Sequence, residues 1–188
     1  MRKLILFFAV VFLLIRTNAQ TINDYLSVPF PTDLKGSSDG KKIAWIFNDK
    51  GSRNIIVAEA PLFQGKNITN FTGDDGVDIN SLQFSPNGKQ LVFVKGNPAN
   101  TRGEAANPAL LQTSTERTIW IAELSSDSIR KIGAGFYPKF SPDGKTLAYL
   151  KQTEIWTTST DGSKTSERLF TARGSQNSLR WSPDSKKI

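Results

Sequence analysis

Beyond residue 20 the apolar positions fall into short runs rich in β-formers, each bounded by Gly, Pro, Asn, Asp and Ser, and one such unit recurs. Phe84-Ser85-Pro86-Asn87-Gly88-Lys89 is followed by Gln90-Leu91-Val92-Phe93. Phe140-Ser141-Pro142-Asp143-Gly144-Lys145 is followed by Thr146-Leu147-Ala148-Tyr149. Trp181-Ser182-Pro183-Asp184-Ser185-Lys186 is followed by Lys187-Ile188, and a fainter copy, Gly36-Ser37-Ser38-Asp39-Gly40-Lys41, by Lys42-Ile43-Ala44-Trp45. The local physics is that of a strand ending on an aromatic anchor and then turning. Pro presets φ near −65°, Asp or Asn tolerates the tight turn, and Gly accepts φ > 0. The run after each turn is apolar on both faces, as an inner strand stacked between neighbouring layers must be.

The turn positions Asp39, Asn87, Asp143 and Asp184 step by 48, 56 and 41 residues. That is the period of a four-stranded propeller blade, with an insertion, Gly96 to Arg117, in the second copy. A further strand follows each run: Ile55 to Glu59, Ile119 to Glu123 and Ile155 to Thr158. Another comes next: Ile68 to Phe71, Ile129 to Ile132 and Arg168 to Phe170, with Asp161-Gly162 as a turn in the third blade. The expected fold is all-β: an antiparallel β-propeller of about three four-stranded blades plus the start of a fourth.

Met1 to Ala19 has the pattern of a secretory leader. Arg2 and Lys3 precede the apolar run Leu4 to Ile15, and small residues surround a cleavage point before Gln20. The 12 apolar residues span about 18 Å as a helix, short of the roughly 30 Å hydrocarbon core, so no stable membrane span is expected. Removing Arg2, Lys3 and Arg16 lowers the formal charge from +7 to +4. The remaining charges are interleaved, which points away from nucleic acid. With no Cys and no His, the chain has neither disulfides nor an imidazole base or ligand.

The repeat resembles the WD40-like propeller repeat of TolB-type proteins and of the prolyl oligopeptidase family. Asn54-Ile55-Ile56-Val57-Ala58-Glu59-Ala60-Pro61, Phe71-Thr72-Gly73-Asp74-Asp75-Gly76 and Ala172-Arg173-Gly174-Ser175-Gln176 look like the N-terminal propeller of secreted bacterial dipeptidyl-peptidase-like members. Asn87 for Asp, Ser185 for Gly, and a first copy without aromatic or Pro are the departures. The resemblance implies a propeller capping a C-terminal α/β-hydrolase domain with a Ser-Asp-His triad, reached by peptides through or beside the propeller. No such domain lies within residues 1–188. The expected organisation is a leader over 1–19 and, over 20–188, the N-terminal part of a propeller. Its expected partners are the remaining blades, a downstream hydrolase domain and a peptide substrate, in the periplasm or outside the cell.

Gly36-Ser37-Ser38-Asp39-Gly40 fits G-x-S-x-G, but that motif needs a strand-turn-helix setting and a histidine, and these residues align with the repeat turn. The acids in Gly73 to Asn80 could hold calcium, although their spacing departs from the EF-hand loop. Asn67-Ile68-Thr69 and Asn70-Phe71-Thr72 are sequons. Trp45, Trp120, Trp156 and Trp181 fall on repeat positions and read as packing aromatics. The resemblance implies that Glu104, with Arg102 beside it on the insertion, contacts the amino terminus of a substrate. No catalytic residue, cofactor or metal is assigned. Two readings follow, a gating propeller of a secreted serine peptidase and a TolB-type protein-binding scaffold; a carbohydrate-active propeller lacks the paired carboxylates it would need.

Overall fold

A computed structural model describes residues 21–22, 25, 28–102, 104, 115–171, 173–174, 176 and 178–188; the leader over 1–19 lies outside them. Among the described residues, twelve strands form three antiparallel sheets of four. The first sheet holds β1 (Phe30–Gly36), β2 (Lys42–Asp49), β3 (Ser52–Glu59) and β4 (Gln64–Asn67). The second holds β5 (Ile79–Phe84), β6 (Gln90–Lys95), β7 (Thr118–Glu123) and β8 (Ser128–Ala134). The third holds β9 (Phe136–Phe140), β10 (Thr146–Lys151), β11 (Glu154–Ser159) and β12 (Glu167–Thr171). Strand order follows chain order in each, and successive sheets pack face to face as consecutive blades of an unclosed propeller. No helix among the described residues is long and apolar enough to cross a membrane.

The repeat turn is the same device four times. Ser37, Ser85 and Ser141 each donate a backbone N–H to the carbonyl five residues on (2.8, 2.9 and 2.8 Å). Each hydroxyl accepts that residue's N–H and donates to the Asx side chain at 2.6, 2.7 and 2.5 Å. A glycine then takes the left-handed φ of 69°, 66° or 72°. Ser182 repeats the pattern onto Asp184 and Lys187, with Ser185 at φ 62° in the glycine's place. The fourth copy therefore makes its turn, although no strand forms on it among the described residues.

Alternation along the second strand of each blade builds the core. In β6, Leu91 and Phe93 face the first sheet, whereas Val92 and Val94 face the third. In β10, Leu147 and Tyr149 face the second sheet, while Ala148 and Leu150 meet Leu179, Trp181 and Ile188 of the fourth copy. Three of the four tryptophans pack as the sequence predicts: Trp120 stacks on Phe93 (6.4 Å between centroids, 7° between planes), and Trp156 and Trp181 lie against the next cores, whereas Trp45 joins none of the three core clusters.

One strand assignment is corrected. The outer strand of the first blade is Gln64–Asn67 rather than Ile68 to Phe71. It is exposed along its whole length, so it carries no hydrophobic period. The apolar signal came from Ile68, which is buried in the core between the first two sheets. Thr69, fully buried, fixes this segment by accepting the Ile55 N–H (2.8 Å) and donating to Asn54 Oδ1 (2.9 Å).

Candidate functional site

The first strand of each blade runs along the centre, where β1 meets β5 and β5 meets β9. Each carries a bulge on a left-handed, non-glycine residue six positions before the turn Asx: Asp33 (φ 51°), Ser81 (57°) and Tyr137 (51°). Such backbone costs free energy and clusters at functional sites, so these three positions direct attention to the inner strands. Asp33 also ties two blades, its carboxylate accepting the Leu82 N–H at 3.0 Å.

At the end where β5 and β9 begin, Phe30, Ile46, Ile79 and Tyr137 surround a cavity of about 510 Å³ with Asn48, Asn80, Pro98, Arg53 and Arg117. The two arginines differ. Arg53 is fixed by Asp78 (3.2 Å), Asp74 (3.3 Å) and the Gly51 carbonyl (2.8 Å). Arg117 sits over Phe136, its Cζ 3.9 Å from the ring centroid. Burial lowers its pKa and the neighbouring Tyr137 opposes that shift; it stays protonated at neutral pH. Its backbone is gripped from two sides. The Gly135 N–H donates to its carbonyl (3.0 Å), and a Cβ on Gly96 would stand 2.6 Å from its Cα.

At the opposite end of β5, a cavity of about 640 Å³ separates the second and third blades. Several of its polar groups bond one another. The Thr160 carbonyl accepts Gln90 Nε2 (3.2 Å) and Arg130 (2.7 Å), the Thr160 hydroxyl donates to the Gly144 carbonyl (2.8 Å), and Gln90 also donates to Glu123. The bonds of Gln90 and Arg130 to the Thr160 carbonyl tie the second blade to the third; the other two hold within a blade.

Arg102 and Glu104 are exposed on the insertion. Asn100 organises them: its Oδ1 accepts the N–H of Arg102 (2.9 Å) and Glu104 (3.0 Å), and its Nδ2 donates to the Glu104 carboxylate (2.7 Å). Neither lines the 510 Å³ cavity; the insertion reaches it through Pro98 and Arg117. Residues 103 and 105–114 of the insertion lie outside those described. The Gly36 to Gly40 segment is a strand-to-strand turn. The acidic loop faces cations, Asp74 and Asp78 on Arg53 and Asp75 on Lys95 (2.5 Å), and no metal-holding cluster occurs among the described residues. Sequence reasoning missed Arg117 and Tyr137. An arginine beside a polar loop looks solvated, and only the meeting of three blades encloses it.

No protein-family model matches the chain, and no curated protein matches it in sequence. The fold does have solved counterparts. TolB from Acinetobacter baumannii is 22% identical, with a TM-score of 0.54 over 84% of this chain. The propeller domain of the Trilobed protease from Pyrococcus furiosus is 16% identical (0.53 over 77%), and the acylaminoacyl peptidase of Pyrococcus horikoshii is 15% identical (0.50 over 74%). The chain spans 36%, 43% and 25% of those chains respectively. The likeness establishes a β-propeller of the kind found in TolB and in peptidases of this group; at such identity it speaks for the fold alone.

Proposed function

We propose that the chain is the N-terminal part of the propeller of an exported serine peptidase of the prolyl oligopeptidase type, and that it gates and positions peptides for a hydrolase domain encoded beyond residue 188. The observation that carries this reading is the cavity at the end of the inner strands where β5 and β9 begin. The three inner strands, with β2, β3 and the insertion, bring apolar side chains, two amides and two arginines around about 510 Å³, a size and mixture suited to a few residues of peptide. The likeness to two peptidase propellers supports it, and the leader pattern of Met1 to Ala19 supports export. With no histidine in residues 1–188, the triad chemistry belongs elsewhere. A TolB-type scaffold is the second reading, supported by the likeness to TolB over 84% of the chain.

Sequencing the gene past codon 188 and labelling the whole secreted product with a fluorophosphonate separates the two. The peptidase reading expects G-x-S-x-G followed by Asp and then His, with a labelled serine. A reading frame that ends soon after the blades, with no labelling, rejects it in favour of the scaffold.

A further inference from the structure

We infer that Arg117 forms, with the Tyr137 phenol beside it, a binding site for a peptide carboxylate at the end of the inner strands where β5 and β9 begin. Three observations meet here. First, the guanidinium is half-buried and unpaired. Of the 17 acids in the sequence, all but Asp24 lie among the described residues, and none forms an ion pair with Arg117. Arg53 in the same cavity takes two carboxylates and Arg168 on the outer strand takes Glu154. A desolvated charge without a counter-charge is costly, so a ligand anion at this point recovers interaction energy that water does not.

Second, the site is held in place. Gly96 and Gly135 leave no room for a Cβ against the Arg117 backbone and the neighbouring Tyr149 and Leu150, so the stem starts from a fixed point. Phe136 then lies against the guanidinium, its ring centroid 3.9 Å from Cζ. The N–H edge of the planar fork is the part that pairs with a carboxylate in two parallel hydrogen bonds. Third, the surroundings suit a peptide better than a bare ion. Phe30, Ile46 and Ile79 give apolar contact, and Asn48 and Asn80 give amide groups, in the same cavity. The Tyr137 ring stands edge-on to Phe136 (5.3 Å, 75°), and the residue is 47% exposed and lines the same cavity.

The site does not depend on the peptidase reading, because a scaffold that captures a partner's carboxylate would use it equally. The probes are N-acetyl-Ala-Ala-Phe as the free acid, the same peptide as its C-terminal amide, and N-acetyl-Ala-Glu-Ala amide, each titrated calorimetrically into the full chain at low salt. The free acid is expected to bind with a millimolar or lower Kd and to lose about tenfold on amidation or in Arg117→Gln. Arg117→Lys keeps the charge without the fork and is expected to fall between, and Tyr137→Phe to lose about threefold. Arg168→Gln changes the net charge equally at a remote site and is expected to leave Kd unchanged. If the Glu-containing amide binds and the free acid does not, the carboxylate recognised is a side chain rather than a terminus. Equal binding of acid and amide with no binding of the Glu peptide, equal losses in Arg117→Gln and Arg168→Gln, or no saturable binding by any probe overturns the inference.

Discussion

The first and second blades share one plan but not one environment. On β6, Leu91 and Phe93 point at the preceding blade and are fully buried. Their counterparts Ile43 and Trp45 on β2 point the same way, meet no preceding blade and are only half-buried. Leu82 is 2% exposed, and its counterpart Leu34 is 66% exposed. Phe84 and Phe140 anchor the ends of β5 and β9 in the core, where β1 ends on Gly36. The faint first copy of the repeat is thus the copy whose aromatic would have had nothing to pack on within this chain. Repeat conservation here tracks burial rather than turn geometry, since the turn itself forms in all four copies.

The largest test of that contrast is truncation on the two faces. Phe93→Ala is expected to cost about 3–5 kcal/mol. Trp45→Ala is expected to cost about 1–2 kcal/mol, because a half-exposed ring forfeits only part of its transfer energy. Urea titration of both variants decides, and equal losses would break the comparison. Next in size is the glycine pair. A Cβ on Gly135 would stand 2.7 Å from Tyr149 Cδ2 and 2.9 Å from the Leu150 carbonyl, whereas one on Gly36 would meet nothing within 4 Å. Gly135→Ala should therefore destabilise by about 1–3 kcal/mol and Gly36→Ala by less than about 0.5 kcal/mol in the same assay.

A smaller effect follows from Asn87, which makes the hydrogen bonds that Asp39, Asp143 and Asp184 make in the other turns. Each of these aspartates is held below the usual 3.8 first by its serine hydroxyl and then by the backbone N–H two residues on. A depressed carboxyl pKa stabilises the folded state above the ordinary value, and that stability is lost as pH falls through the lowered one. Midpoints of unfolding should be flat above about pH 5 and decline below about pH 4. Asp143→Asn should flatten the decline by one proton and Asn87→Asp should steepen it; unchanged slopes would show that the turns do not couple to protonation. Least of all, the exposed pair Lys66–Asp127 (2.5 Å) links the outer edges of the first two blades. Asp127→Asn is expected to shift stability by under about 1 kcal/mol, and the shift should vanish in 1 M salt.

The parts of the fold legible in the sequence were those where one residue type meets one local demand. Ser-Pro-Asx-Gly announces its turn, and the double-faced apolar runs announce β2, β6 and β10. The inner strands were legible only at their aromatic ends. Their starts carry the bulges at Asp33, Ser81 and Tyr137, which break the two-residue period. The outer strand β4 was missed because four exposed residues leave no pattern, and Ile68 mimicked one while serving the core. The candidate site was less legible still. Arg117 draws its character from Phe136, Gly96 and Gly135, and the chain separates these by up to 21 positions in one direction and 19 in the other. Glu104 and Arg102 came from family likeness, which names a loop but does not enclose a space.

The blade-by-blade packing has a consequence for motion. Each sheet leans on the next in sequence, so the molecule behaves as a short linear stack whose stability is a sum of neighbour terms. Among the described residues the middle sheet has a neighbour on both sides and the first has only one. Amide exchange should therefore be slowest in β6 and β7 and quicken toward β1 and β2, even though all four strands belong to equally complete sheets. Taken by itself, this stack of three sheets opens from the first sheet inward, as a book opens from its cover.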